Sequence, residues 1–202
     1  MKRYIVCFLM FMCICLITEK AYALSVQARY VVGGIGIEQN NFNTSGMGLD
    51  VFVYEGGNLD IFIGAEQNSF SVSEFGYDHK FGYSAKATAF DVGFRFKPTT
   101  TWRIKPYFPV ELLYLQNIEY EVKSTSPDVT LSYNQPGSKI GGRLGVGTDI
   151  GLSDRLTLGV QLYVTALPPP KVMVHDPTGQ GDYTKEPMNS FASINLGLRY
   201  SF

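Results

Sequence analysis

The last fourteen residues, Asn189 to Phe202, read NSFASINLGLRYSF and alternate strictly in twos. Ala192, Ile194, Leu196, Leu198, Tyr200 and Phe202 fall on one face, and Ser193, Asn195, Gly197, Arg199 and Ser201 on the other. A period of two puts successive side chains on opposite faces of a β-strand. The apolar face runs to the final residue and ends in an aromatic ring. A soluble protein seldom leaves a terminal strand this bare, because such an edge recruits other chains. Lipid outside and a polar lumen inside would produce this pattern.

The rest of the chain narrows the choice. After residue 23 no uninterrupted apolar stretch approaches the roughly 20 residues a helix needs to cross a bilayer. A membrane-resident chain of this kind must therefore be a closed barrel, the other arrangement that satisfies every backbone group in lipid. Residues 1–23 read as a cleavable signal peptide: Lys2 and Arg3 precede an apolar run from Ile5 to Ile17, and Ala21 and Ala23 form the small-x-small cleavage site. A lipoprotein is disfavoured, since Ile14 and Met12 stand where a small residue should precede the cysteine. Cys7, Cys13 and Cys15 all lie in the signal, so residues 24–202 have no disulfide, thiolate nucleophile or Cys-based metal site. Removing Lys2, Arg3, Lys20 and Glu19 leaves 14 basic against 17 acidic residues, a balance that gives no support to nucleic-acid binding.

Eight segments have strand character: Val26–Ile37, Ser45–Glu55, Leu59–Phe70, Tyr83–Lys97, Arg103–Tyr120, Lys139–Leu152, Arg155–Ala166 and Asn189–Phe202. Leu49, Val51 and Val53 oppose Asp50, Phe52 and Tyr54. Leu158, Val160 and Leu162 oppose Gly159, Gln161 and Tyr163. Pro106 and Pro109 predict a bulge or local break in the fifth segment. Connections near 38–44, 71–82, 121–138 and 167–188 are long, while 55–58, 98–102 and 153–154 are short. Short periplasmic turns, long external loops and an even strand number define an eight-stranded antiparallel up-and-down transmembrane β-barrel over 24–202. A lipocalin-type barrel shares the period but turns its apolar face inward. The apolar terminal strand, the glycines on the polar face and aromatics near strand ends favour the membrane. Trp102, Phe96, Tyr200 and Phe202 are expected at the periplasmic girdle, and Tyr114 and Phe70 at the external one.

The predicted lumen face carries Asp50, Asp60, Glu66, Asp91, Arg95, Lys105, Glu111, Lys139, Arg143, Asp149, Arg155 and Arg199. Eight strands leave an interior that side chains can fill. A plug locked by ion pairs is therefore favoured over a narrow pore, with Gly141, Gly145, Gly147 and Gly151 making room for long side chains. His79 and His175 fall in expected loops without a nucleophile at strand spacing, so no catalytic residues are assigned. No metal or cofactor site is expected either. Asp176 to Asp182 lacks the spaced carboxylates of a calcium loop, and the glycine clusters do not read G-x-G-x-x-G.

Taken whole, residues 26–202 resemble the small outer-membrane β-barrel superfamily, which includes the protein A membrane domain, the W-type barrels and the adhesion-invasion barrels. The resemblance rests on architecture and on the ending Tyr200-Ser201-Phe202. It implies an integral protein of the bacterial outer membrane, without enzymatic activity, serving envelope integrity, adhesion or host interaction. Implied partners are outer-membrane lipids and lipopolysaccharide, the barrel assembly machinery acting through Tyr200 and Phe202, and a surface ligand or host partner met by loops 121–138 and 167–188. A narrow channel for small or hydrophobic solutes is the rival expectation, and a lipid A-modifying enzyme the third.

Overall fold

A computed structural model describes residues 24–36, 41–75, 80–99, 104–124, 130–133, 137–167, 172–175, 183–185 and 190–202. The predicted signal segment with Ala21 and Ala23, together with Trp102 and His79, lies outside these residues. Among the described residues eleven strands are formed: β1 (Ser25–Gly36), β2 (Asn41–Glu55), β3 (Leu59–Phe75), β4 (Lys80–Phe96), β5 (Ile104–Ser124), β6 (Thr130–Tyr133), β7 (Lys139–Gly151), β8 (Leu156–Ala166), β9 (Val172–His175), β10 (Tyr183–Lys185) and β11 (Ser190–Ser201). β1, β2, β3, β4, β5, β7, β8 and β11 form a closed barrel in that order, and β11 pairs back onto β1 from Ser25↔Ser201 to Gly36↔Phe191. Every pairing is antiparallel. β6, β9 and β10 form a separate three-stranded sheet from the segments following β5 and β8.

Alternation decides which way the wall faces. Leu49, Ile63, Phe90, Phe94, Val110, Leu112, Leu144, Leu162, Ile194, Leu196 and Leu198 are exposed on the outside, while Gln27, Arg29, Asp50, Glu66, Asp91, Arg95 and Asn195 are buried inside. A water-soluble barrel would show the opposite arrangement. The lipid band ends at a definite height, visible in the register. Across β2–β5 the last apolar row is Leu49–Ala65–Phe90–Tyr114; next comes Met47–Gln67–Thr88–Gln116, then Ser45–Ser69–Lys86–Glu119. Above that height the expected connections at 71–82 and 121–138 are partly strand: β3, β4 and β5 run on as a paired wall. The described outward residues there, Ser71, Ser84, Glu121 and Lys123 among them, are polar, so no apolar alternation marks them.

Among the described residues three bulges invert the inside-outside parity. Gly33, at φ 63°, accounts for the shift between Val32 and Gly34. On β2 an extra residue between Phe52 and Tyr54 aligns Tyr54 with Ile61 and Glu55 with Asp60. The expectation that Tyr54 shares a face with Asp50 and Phe52 is thus corrected, and Glu55 turns inward instead. On β5, Asn117 takes the left-handed region at φ 51°, and the register with β4 shifts beside it. Asn tolerates this conformation better than most residues. Ile118 is thereby turned to the inside, 6% exposed. Pro106 and Pro109 do not break β5, which is continuous. Its ladder to β7 lapses only between Tyr107↔Gly147 and Val110↔Leu144, with register kept. Phe70 is a second correction: it has the parity of Glu66 and is 6% exposed, inside the barrel rather than on the external girdle. Phe96, Tyr114, Tyr200 and Phe202 do face out.

Leu162, paired with Val146 and Ile194, sits near mid-height on β8 and is 50% exposed. Leu162→Arg should cost about 2–4 kcal/mol, and Leu158→Arg, nearer the periplasmic rim, less. Denaturant midpoints in bilayers check this; an unchanged midpoint for Leu162→Arg would refute the outward facing.

Candidate functional site

The interior is built in layers. At the periplasmic end Arg199 reaches Glu55 at 3.1 Å and Asp149 at 2.6 Å, while Lys97 takes Asp60 at 2.5 Å. Above it Arg95 is fully buried with its guanidinium 4.5 Å from the Phe52 ring centre, 4.8 Å from Tyr107 and 5.2 Å from Phe62. Arginine tolerates this site because its planar, weakly hydrated cation stacks on aromatic faces. One Nη donates to Gln27 at 3.0 Å, and Gln161 donates to the Tyr107 hydroxyl at 2.8 Å. Side chains this large need missing ones opposite. A methyl at Gly93 would overlap the Phe62 ring, and one at Gly147 would meet Tyr107 at 2.5 Å.

At mid-height Arg29 lies 3.0 Å from Asp50, 3.1 Å from Glu66, 2.9 Å from Asp91 and 3.3 Å from Glu111. Arg143 grips Glu66 with both terminal nitrogens, and also donates to Glu111 at 3.1 Å and Thr165 at 3.2 Å. Asn68 donates to Glu66 at 2.6 Å, and the Tyr163 hydroxyl donates to Glu111. Two-pronged guanidinium–carboxylate pairing is among the stronger arrangements for buried charge. Toward the external end the chemistry changes. Phe70, Ala85, Ala87, Ala89, Leu113, Leu115, Ile118 and Phe191 form an apolar layer with Leu167 against it, Phe70 and Phe191 stacking at 6.4 Å. The cavity at the seam between Arg143 and this layer measures about 10 Å³, at the lower limit for one water.

Of the predicted lumen residues, Asp50, Asp60, Glu66, Asp91, Arg95, Glu111, Arg143 and Asp149 are buried and Arg199 is partly so. One expectation is corrected, that of Arg155, and two more residues stand at the mouths. Lys105 has inward parity but stands exposed at the periplasmic mouth. Lys139 begins β7 at the external mouth and is only half-buried. Arg155 lies in the β7–β8 turn, exposed, with Tyr200 as its hydrogen-bond acceptor at 3.4 Å. Charges at strand ends reach water, so parity alone does not bury them. Gly151 also has open space beside it, unlike Gly141, Gly145 and Gly147. Arg29, the residue in contact with most carboxylates, is absent from the predicted set because the glycines of β1 blur its alternation. Its placement between Ala28 and Tyr30 was the available signal.

The external end carries a second candidate site. β9 pairs with β6 from Thr130↔His175 to Tyr133↔Val172, and with β10 from Tyr183↔Val174 to Lys185↔Val172. Two expected loops are therefore tied into one sheet, with Val172 fully buried and His175 in a strand rather than a loop. Among the described residues no group of His, Cys, Asp and Glu is arranged to hold a metal ion.

The fold has solved counterparts. The outer-membrane protein OprG from Pseudomonas aeruginosa matches with a TM-score of 0.54 at 12% identity, over 89% of this chain and 96% of that one. A major outer-membrane protein from Thermus thermophilus matches with a TM-score of 0.54 at 17% identity, over 91% of this chain and 100% of that one. The chain is an eight-stranded β-barrel of the bacterial outer-membrane type. No family model and no curated protein matches it.

The barrel's charge layer turns on Arg29. Arg29→Met leaves four carboxylates short of a cation and should cost about 3–5 kcal/mol, the range for removing one partner from a buried ionic cluster. Urea titration of the refolded barrel measures this. A loss under about 1 kcal/mol, the scale of an exposed pair, would show the cluster to be solvated.

Proposed function

We propose that the protein is a non-enzymatic, non-conducting barrel whose role is to hold the external sheet rigidly at the cell surface, where it meets a ligand or host partner. One observation carries this reading: the charged layers and the apolar layer fill the lumen in series, and their seam holds only about 10 Å³. A conducting path needs continuous water. The sheet of β6, β9 and β10 supports the display role, because segments far apart along the chain are fixed into one surface by backbone pairing. Placing function in external segments on a rigid scaffold is the common division of labour. The purified barrel in planar bilayers should show no conductance steps. Regular, salt-dependent steps would replace this reading with the narrow channel. Replacing 125–136 and 176–182 by short linkers should leave the barrel folded and abolish adhesion to host cells or matrix. Unchanged adhesion would remove the display role.

We further propose that residues 1–23 direct export, that cleavage follows Ala23, and that the assembly machinery recognises the strand that ends in Tyr200 and Phe202. These two rings pack edge-to-face at 5.1 Å, and Phe202 is 70% exposed at the barrel's rim. Outer-membrane lipids, lipopolysaccharide included, then cover the apolar belt. Deleting Phe202 should lower the outer-membrane level of the protein in immunoblots of separated membranes. Wild-type levels would count against that recognition.

A further inference from the structure

The ion pairs of the interior do not balance. At mid-height, among the described residues, the cations Arg29 and Arg143 face the carboxylates Asp50, Glu66, Asp91 and Glu111. Two negative charges are left over there. Glu66 takes both terminal nitrogens of Arg143 and the Asn68 amide, and Glu111 takes Arg143, Arg29 and the Tyr163 hydroxyl. Both are supplied with donors as carboxylates. Asp50 and Asp91 are not. One Nη of Arg29 lies 3.0 Å from Asp50, 3.1 Å from Glu66 and 2.9 Å from Asp91. A terminal guanidinium nitrogen has two hydrogens and cannot serve three carboxylates. Its hydrogen bond goes to Asp91 Oδ2. Neither oxygen of Asp50, nor Oδ1 of Asp91, accepts a hydrogen bond among the described residues.

One oxygen of each, Oδ1, lies over the same glycine. Asp50 on β2 and Asp91 on β4 are both paired with Gly64 of β3. Their backbones are two strand spacings apart, about 10 Å, but Gly64 has no side chain between them. A methyl added there would overlap Oδ1 of Asp50 and Oδ1 of Asp91 together. Two carboxylates sharing such a site cannot both stay ionised at low cost. The other charged and titratable groups around them are Arg29 from β1, Glu66 from β3, Arg95 from β4, Glu111 from β5, Arg143 from β7 and Tyr163 from β8, all buried. We propose that Asp50 and Asp91 bind one proton between them over Gly64, as a carboxylic acid donating to a carboxylate. The barrel wall then carries a buried proton-binding site at its centre.

Infrared spectroscopy of the mature barrel in lipid at neutral pH tests this, because a protonated carboxyl has a carbonyl band that carboxylates lack. The wild type should show that band, shifted by exchange into heavy water. Asp50→Asn and Asp91→Asn should each lose it while keeping the heat-resistant gel mobility of a folded barrel. Gly64→Ala should keep the band but move it toward the position of an acid without a hydrogen-bonded partner. No acid band in the wild type overturns the proposal, and so does a band that survives either Asn substitution. If Gly64→Ala fails to fold, the two Asn variants decide alone.

Discussion

Hydrocarbon offers no hydrogen bond to a peptide group, and that absence organises the molecule. A sheet in lipid must close, because an open edge would leave a row of N–H and C=O groups unpaired. Here closure is made by β11 returning to β1. Once closed, a period-two chain has no choice about its second face: whatever alternates with the lipid-facing residues must share a narrow tube. The interior is therefore polar by default, and the chemistry of the protein is the chemistry of making that tube tolerable.

Two devices do so, and they depend on each other. Arginines supply long, flat cations that can reach several strands and rest on Phe52, Phe62, Tyr107 and Tyr163. Glycines on the opposing strands give those rings and carboxylates their room. Ion pairs in a dry interior only offset the cost of burial when each charge finds geometry as well as sign. Arg143 with Glu66 and Glu111 meets that condition; Arg29, divided among four carboxylates, does not meet it for all of them. An excess of acid at the centre follows from that division.

Much of the wall was legible because lipid and lumen impose opposite polarity on neighbouring residues. Leu144, Arg143, Leu162 and Gln161 declare their sides without any tertiary information. The parts that were not legible share a cause. A bulge adds one residue and inverts the parity beyond it, so Tyr54, Glu55 and Ile118 take positions that strict alternation denies them. Above the lipid band, Ser69, Ser71, Ser84 and Lys86 belong to strands whose outer face is wet, and period two loses its contrast. Phe70 misled for the converse reason. An aromatic near a strand end looks like a girdle residue, but its even position on β3 puts it inside. At the mouths Lys105 and Lys139 keep the expected parity within reach of water, and Arg155 falls in a turn, where parity does not apply.

The order of the layers has a consequence of its own. The apolar layer lies on the external side of the charges, where water would otherwise enter from the surface. Phe70, Leu113, Leu115 and Phe191 close that approach, and the bulge at Asn117 contributes Ile118 to the same layer. Excluding water strengthens each ion pair below, since the interaction of two charges rises as the surrounding dielectric falls. It also removes the solvent that would have neutralised a mismatch. A wet lumen could leave Asp50 and Asp91 both charged and hydrated; beneath an apolar lid, the proton proposed between them meets that excess. The lid that makes the plug strong is thus what makes the balance of its charges consequential.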